Sequence, residues 1–120
     1  MSAAPWPAEI RLKREPSGLE VVFETGARFL LDAEYLRVES PSAEVKGHGA
    51  EQPPPVAGKR GVRITAVEPV GNYAIRLIFE DGHSTGLYSW ALLHELGAER
   101  EARWGAYLRR LEEFGLSRDR

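Results

Sequence analysis

Two histidines, His48 and His83, with Glu44 and Asp81 near them in the chain, are the residues of this sequence best suited to chemistry. Imidazole and carboxylate together suit iron or zinc, and a glycine-bearing run, Glu44-Val45-Lys46-Gly47-His48-Gly49, could fold towards Asp81-Gly82-His83. The candidate metal set is therefore His83, His48 and Glu44. A plainer reading competes with it, in which His83 orients a hairpin and His48 lies on a solvated loop. The same glycines would let backbone amides approach an anion or a peptide, although two isolated glycines equally mark a turn that needs positive φ.

Other chemistries lack their parts. The chain has no cysteine, which removes disulfides, thiolate metal sites and a cysteine nucleophile. Ser40, His83 and Asp81 are the residue types of a hydrolase triad, but nothing around Ser40 or Ser42 resembles a nucleophile elbow. No His-x-Asp or His-x-Glu iron motif occurs, because His48 precedes Gly49-Ala50, His83 precedes Ser84-Thr85 and His94 precedes Glu95-Leu96. A Gly-x-x-x-x-Gly-Lys-Ser/Thr phosphate loop is absent too. No catalytic residue and no bound cofactor are expected, zinc or iron at the candidate set excepted.

The elements that must hold these residues can be read from periodicity. Ile10 and Leu12 alternate with Glu9 and Arg11, Leu19 to Phe23 is β-branched and apolar, and Arg28-Phe29-Leu30-Leu31 follows Thr25-Gly26-Ala27, so three short strands joined by tight turns are expected from Ala8 to Leu31. Asp32 is placed to cap a short helix through Leu36. Between Ser40 and Gly61 the periodicity gives way to Pro41, Gly47, Gly49, Pro53, Pro54, Pro55 and Gly58, the composition of a long loop. Strand character returns at Val62 to Val67 and at Tyr73 to Phe79, where Arg76 faces away from the row of Ile75, Leu77 and Phe79, and Asp81-Gly82 marks a hairpin turn. Ser89 should cap a short helix bearing Trp90, Leu92, Leu93 and Leu96 and stopped by Gly97. A second helix from Glu99 to Phe114 should place Trp104, Tyr107, Leu108 and Leu111 on one face and end at Gly115. The fold class is α+β, a small antiparallel meander packed by two C-terminal helices, with the Ser40 to Gly58 loop along one edge.

With 120 residues the chain has the length of a single domain, residues 1–120, with 1–7 and 116–120 expected as flexible tails. Sixteen basic and eighteen acidic residues leave a formal charge of −2, which provides no field for a phosphate backbone, so no nucleic-acid partner is expected. The opening Met1-Ser2-Ala3-Ala4-Pro5-Trp6-Pro7 has no secretory pattern, and no stretch approaches the ~20 apolar residues of a membrane helix, so a cytoplasmic protein without a membrane partner is expected. Trp90 and Trp104 are assigned to the core. Ser40, Ser42, Lys46, Tyr73 and Tyr88, polar residues of the loop and polar-tipped aromatics beside turns, form the candidate interaction surface. Arg37 and Arg76 are expected to pair with Glu34, Glu44 or Asp81.

Taken in order, Tyr35-Leu36-Arg37, Ser40 to Val45, Gly47-His48-Gly49, Glu68-Pro69-Val70-Gly71-Asn72-Tyr73-Ala74 and Asp81-Gly82-His83-Ser84-Thr85-Gly86-Leu87-Tyr88-Ser89-Trp90 resemble the gamma-butyrobetaine hydroxylase-like N-terminal domain, from about Pro7 to Asp119. The resemblance implies a module that in the hydroxylases binds a structural zinc through three cysteines and one histidine, apart from the catalytic iron domain. Ser40, Ser42 and Val45 stand at the cysteine positions and His83 at the histidine. Hydroxyls and an aliphatic chain do not replace thiolates. It therefore implies a non-catalytic binding or scaffold module, whose alternative is a metal-binding accessory protein of iron or iron–sulfur metabolism using His48 and His83. Because similar domains occur attached to iron–sulfur P-loop ATPases, such an ATPase, or a second copy of this chain, is the partner it implies.

Overall fold

The computed structural model describes residues 5–41, 55–84 and 86–119. Strands β1 (Pro7–Arg14), β2 (Ser17–Phe23) and β3 (Arg28–Asp32) form an antiparallel meander in the order β1-β2-β3. Its register sets Leu12 opposite Leu19 and Leu19 opposite Leu31, so alternate side chains of the central strand converge on one face, and Leu19, Val21 and Phe23 are buried there. Helix α1 (Ala33–Val38) follows directly. The Asp32 carboxylate accepts from the Tyr35 amide at 3.3 Å, the cap expected from its position before Ala33.

The second half repeats the pattern. Strands β4 (Ile64–Val70), β5 (Ala74–Phe79) and β6 (Leu87–Ser89) make another three-stranded antiparallel meander. The strands thus divide into two sheets instead of one. Both sheets contribute to a single core in which Leu19, Val21, Phe23 and Leu31 meet Ile75, Leu77, Phe79 and Tyr88. Polar stitches join the sheets at one end, where Ser17 Oγ accepts from the Ile64 amide at 3.0 Å and Arg63 donates to the Arg14 carbonyl at 2.7 Å.

Helices α2 (Trp90–Ala98) and α3 (Arg100–Glu113) follow β6. Ser89 caps α2 by accepting from the Leu92 amide at 3.1 Å. Gly97, expected as the stop of this helix, lies inside it. A Cβ at this position would overlap the Phe29 ring, so the glycine permits close packing of α2 on β3, and the helix runs on to Ala98. Gly115 does end α3. At φ 68° its amide donates to Glu112 and that of Leu116 to Leu111, the paired bonds of a Schellman stop. Tyr107 and Leu111 face inward and Trp104 packs against the core, whereas Leu108, expected on the same face, is exposed.

Of the segment 116–120, expected as a flexible tail, the residues up to Asp119 are tied down. Ser117 and Arg118 carbonyls accept from the amides of Gly58 and Arg60 at 2.9 and 3.0 Å, and Arg118 reaches Glu34. Among the described residues no helix is long and apolar enough to cross a membrane.

Candidate functional site

The β5–β6 hairpin presents Asp81 and His83 to the end of α1. Its turn is built by the Phe79 amide donating to the His83 carbonyl at 3.0 Å, by the Gly82 amide donating to Phe79, and by Asp81 Oδ1 accepting from the His83 amide at 3.1 Å. Ser40, just past α1, shares a 2.9 Å hydrogen bond between its Oγ and His83 Nε2. One turn earlier, Arg37 Nε donates to Asp81 Oδ2 at 2.9 Å, and Lys59 Nζ donates to the same oxygen at 2.6 Å. Residues far apart in the chain thus meet at one junction, where Gly86 passes so close to Ser40 Oγ that a Cβ there would overlap it.

Electrostatics follow from this crowding. Burial alone would raise the Asp81 carboxyl, but hydrogen bonds from Lys59, the His83 amide and Arg37 outweigh it and hold the group well below the usual carboxylate range. Burial and then the Arg37 guanidinium lower the His83 imidazole, with Asp81 acting the other way. His83 therefore favours its neutral form in the fold. Beside the junction lies an open cleft of about 870 Å³ lined by Lys59, Arg60, Glu80, Asp81, Arg118 and Asp119 among others, a rim of mixed sign in which Lys59 pairs with Asp81 and Arg60 with Asp119.

The expected site residues divide accordingly. Ser40 and His83 are brought together. Glu44, His48, Ser42 and Lys46 lie outside the described residues, so the set of His83, His48 and Glu44 is represented here by His83 alone. Tyr73 is 56% exposed at the β4–β5 turn. Tyr88, expected on the interaction surface, is instead fully buried: it sits on the inward face of β6, burial pushes its phenol above the ordinary range, and its hydroxyl donates to the Leu36 carbonyl at 2.6 Å. A turn-flanking tyrosine reads as exposed in sequence, but the pleat of β6 turns this one inward. Arg37 pairs with Asp81 as expected, and Arg76 approaches Glu68 at 4.0 Å. Lys59 was not foreseen, since it falls in a stretch without periodicity and finds Asp81 only through the tertiary fold.

Neither acyl transfer nor zinc ligation suits these residues. Ser40 and His83 have the separation of a nucleophile and its base, but Ser40 is only 6% exposed and both Asp81 oxygens are engaged by Arg37, Lys59 and the His83 amide. At the four positions that correspond to zinc ligands stand Ser40, Ser42, Val45 and His83, with Ser42 and Val45 outside the described residues. One imidazole, two hydroxyls and an isopropyl group are not the donor set of a structural zinc, and Arg37 and Lys59, both bound to Asp81 two residues from His83, oppose a dication there. Among the described residues no group of three or more histidine, aspartate and glutamate side chains could hold a metal ion.

Known proteins agree with this architecture. The profile of the family described as gamma-butyrobetaine hydroxylase-like, N-terminal, matches residues 10–94. A solution NMR structure 45% identical to this chain covers 98% of it and 88% of its own length, with a TM-score of 0.82, and another at 41% identity covers 98% and 92% with a TM-score of 0.81. A crystal structure of a protein of unknown function of the DUF971 family from Acidithiobacillus ferrooxidans is 37% identical over 82% of this chain and 100% of its own, with a TM-score of 0.67. No curated protein matches. The profile match runs from β1 into α2 and so takes in both meanders, α1 and the junction between them: the chain belongs to the gamma-butyrobetaine hydroxylase-like N-terminal domain family.

Proposed function

We propose that the chain acts as a non-catalytic docking module and that it engages another protein through an aromatic face at the β4–β5 turn. The supporting observation is the exposure of Tyr73, 56%, and Trp6, 49%, around Trp90. Trp6 lies 6.3 Å from the Trp90 ring, and the Trp90 indole donates to the Asn72 carbonyl at 3.0 Å while its amide donates to Tyr73. The Trp90 ring is therefore anchored, and an anchored aromatic ring loses little conformational freedom when a partner covers it. The polar residues of the Ser40 junction satisfy one another, which supports a structural role for them in joining the two halves. An iron–sulfur P-loop ATPase is the partner class that the family resemblance implies, and a second copy of the chain is the other.

A photocrosslinking amino acid placed at Tyr73, and separately at Glu101 on the exposed side of α3, tests this in cells that express the protein. Discrete adducts from position 73 that are missing from position 101 are expected, and their masses separate a second copy from a different chain. Equal or absent crosslinking at position 73 would sink the proposal.

A further inference from the structure

Glu34 is a carboxylate on α1 that is 5% exposed, and both its oxygens are taken by one guanidinium: Arg118 Nε donates to Oε2 at 2.8 Å and Nη2 to Oε1 at 2.7 Å. The same guanidinium lies over the Trp104 ring, 5.2 Å from its centroid, and Trp104 is backed by Tyr107 at 5.1 Å. A forked carboxylate below and an aromatic face above form a receptor matched to the planar, five-donor head of arginine, which an ammonium fills poorly. The Gly58–Arg60 segment adds two backbone amides, which donate to the carbonyls of Ser117 and Arg118, and Arg60 pairs with Asp119. The strap 116–119 is thus held as a peptide is held on a binding surface, by main-chain bonds beside one side-chain anchor.

The strap also lies outside the rest of the architecture. It begins beyond the Schellman stop at Gly115, belongs to neither sheet, and runs along the open cleft whose rim includes Lys59, Arg60 and Asp81. Its departure would break no strand pairing and leave the core cluster intact. We propose that Glu34, Trp104 and the Gly58–Arg60 segment form a binding site for an arginine-bearing peptide, which the chain's own strap occupies in cis and which an arginine segment of a partner can take over. The site is separate from the aromatic face around Tyr73. Because an intramolecular strap acts at an effective concentration on the order of millimolar, a competing segment must bring more contacts than the strap or meet a weakened one.

The test uses the full-length Arg118→Ala variant. Its melting temperature is expected to fall by on the order of 10 °C, since Glu34 loses its partner. Low-millimolar guanidinium chloride should then recover part of this loss, and ammonium chloride at equal concentration should not. The peptide Leu-Ser-Arg-Asp-Arg, the sequence of residues 116–120, should bind the variant and weaken by about 10-fold or more when its first arginine is replaced by lysine. If Arg118→Ala fails to fold, Arg118→Lys, which keeps a cation without the fork, takes its place in both titrations. Equal recovery by ammonium, peptide binding indifferent to that arginine, or an undiminished response in Glu34→Gln/Arg118→Ala would overturn the proposal.

Discussion

Two polar joints fasten α1 to distant parts of the chain, and they distribute their load differently. At the hairpin junction, Asp81 is served by Arg37, Lys59 and the His83 amide, with the Ser40–His83 bond alongside. At the strap, the more deeply buried Glu34 depends on Arg118 alone among the described residues. A carboxylate with three donors can lose one and remain paired, whereas a buried carboxylate with one guanidinium is left uncompensated. The first arrangement suits a permanent joint. The second suits a contact that is either made or absent.

Urea denaturation of single variants should expose this difference. Glu34→Gln removes the charge that faces Arg118 and is expected to cost about 2–3 kcal/mol, read as a lower midpoint at unchanged slope. Asp81→Asn should cost about 1 kcal/mol, because position 81 is itself more exposed than position 34 and the side-chain oxygen of asparagine still accepts from the His83 amide. A larger loss at Asp81 than at Glu34 would reverse the comparison.

Acidification provides a second distinction. Asp81 is held below its ordinary value of 3.8, so its contribution is present above about pH 4 and is lost as the pH falls further; His83 is lowered from 6.5, so its contribution is present above that pH and fades below it. In both cases the unfolded chain binds more protons, and stability falls with pH. Midpoints measured from pH 8 to pH 3 should decline in two windows, with Asp81→Asn flattening the lower and His83→Gln the upper. A profile unchanged by either substitution would remove the junction from the acid response. The smallest effect is expected for metal: protein purified without tag or chelator should contain no stoichiometric zinc or iron, before or after titration, and a His48→Ala/His83→Ala variant should match it by elemental analysis. Stoichiometric metal lost in that variant would return the candidate set of His83, His48 and Glu44 to the centre of the function.

Local signals identified the elements with few exceptions. Asp32 and Ser89 cap the helices expected of them, Gly115 ends α3, and β5 points Arg76 outward, because capping, positive φ and strand alternation are settled by residues a few positions apart. Gly97 misled for the same local reason: a glycine near the end of a helix resembles a stop, and only the Phe29 ring packed against it explains its place inside α2. The site was half legible. Ser40 and His83 could be paired through the zinc pattern they resemble, but no local signal distinguishes Tyr88 on the inward face of a three-residue strand from Tyr73 at an exposed turn.

The sequence by itself determined the boundaries of the helices and of every strand but β6 to within a few residues, the α+β class, the family and the lack of a thiolate donor set, since each depends on residue type and short spacing. Tertiary structure alone decided that the six strands separate into two sheets on one core, that Lys59 and Arg37 share Asp81, and that Arg118 closes over Glu34 across 84 residues of chain. The physical reason is range. Backbone geometry and capping act over about one turn or one hairpin, while burial and charge pairing act between any surfaces that the completed fold brings into contact.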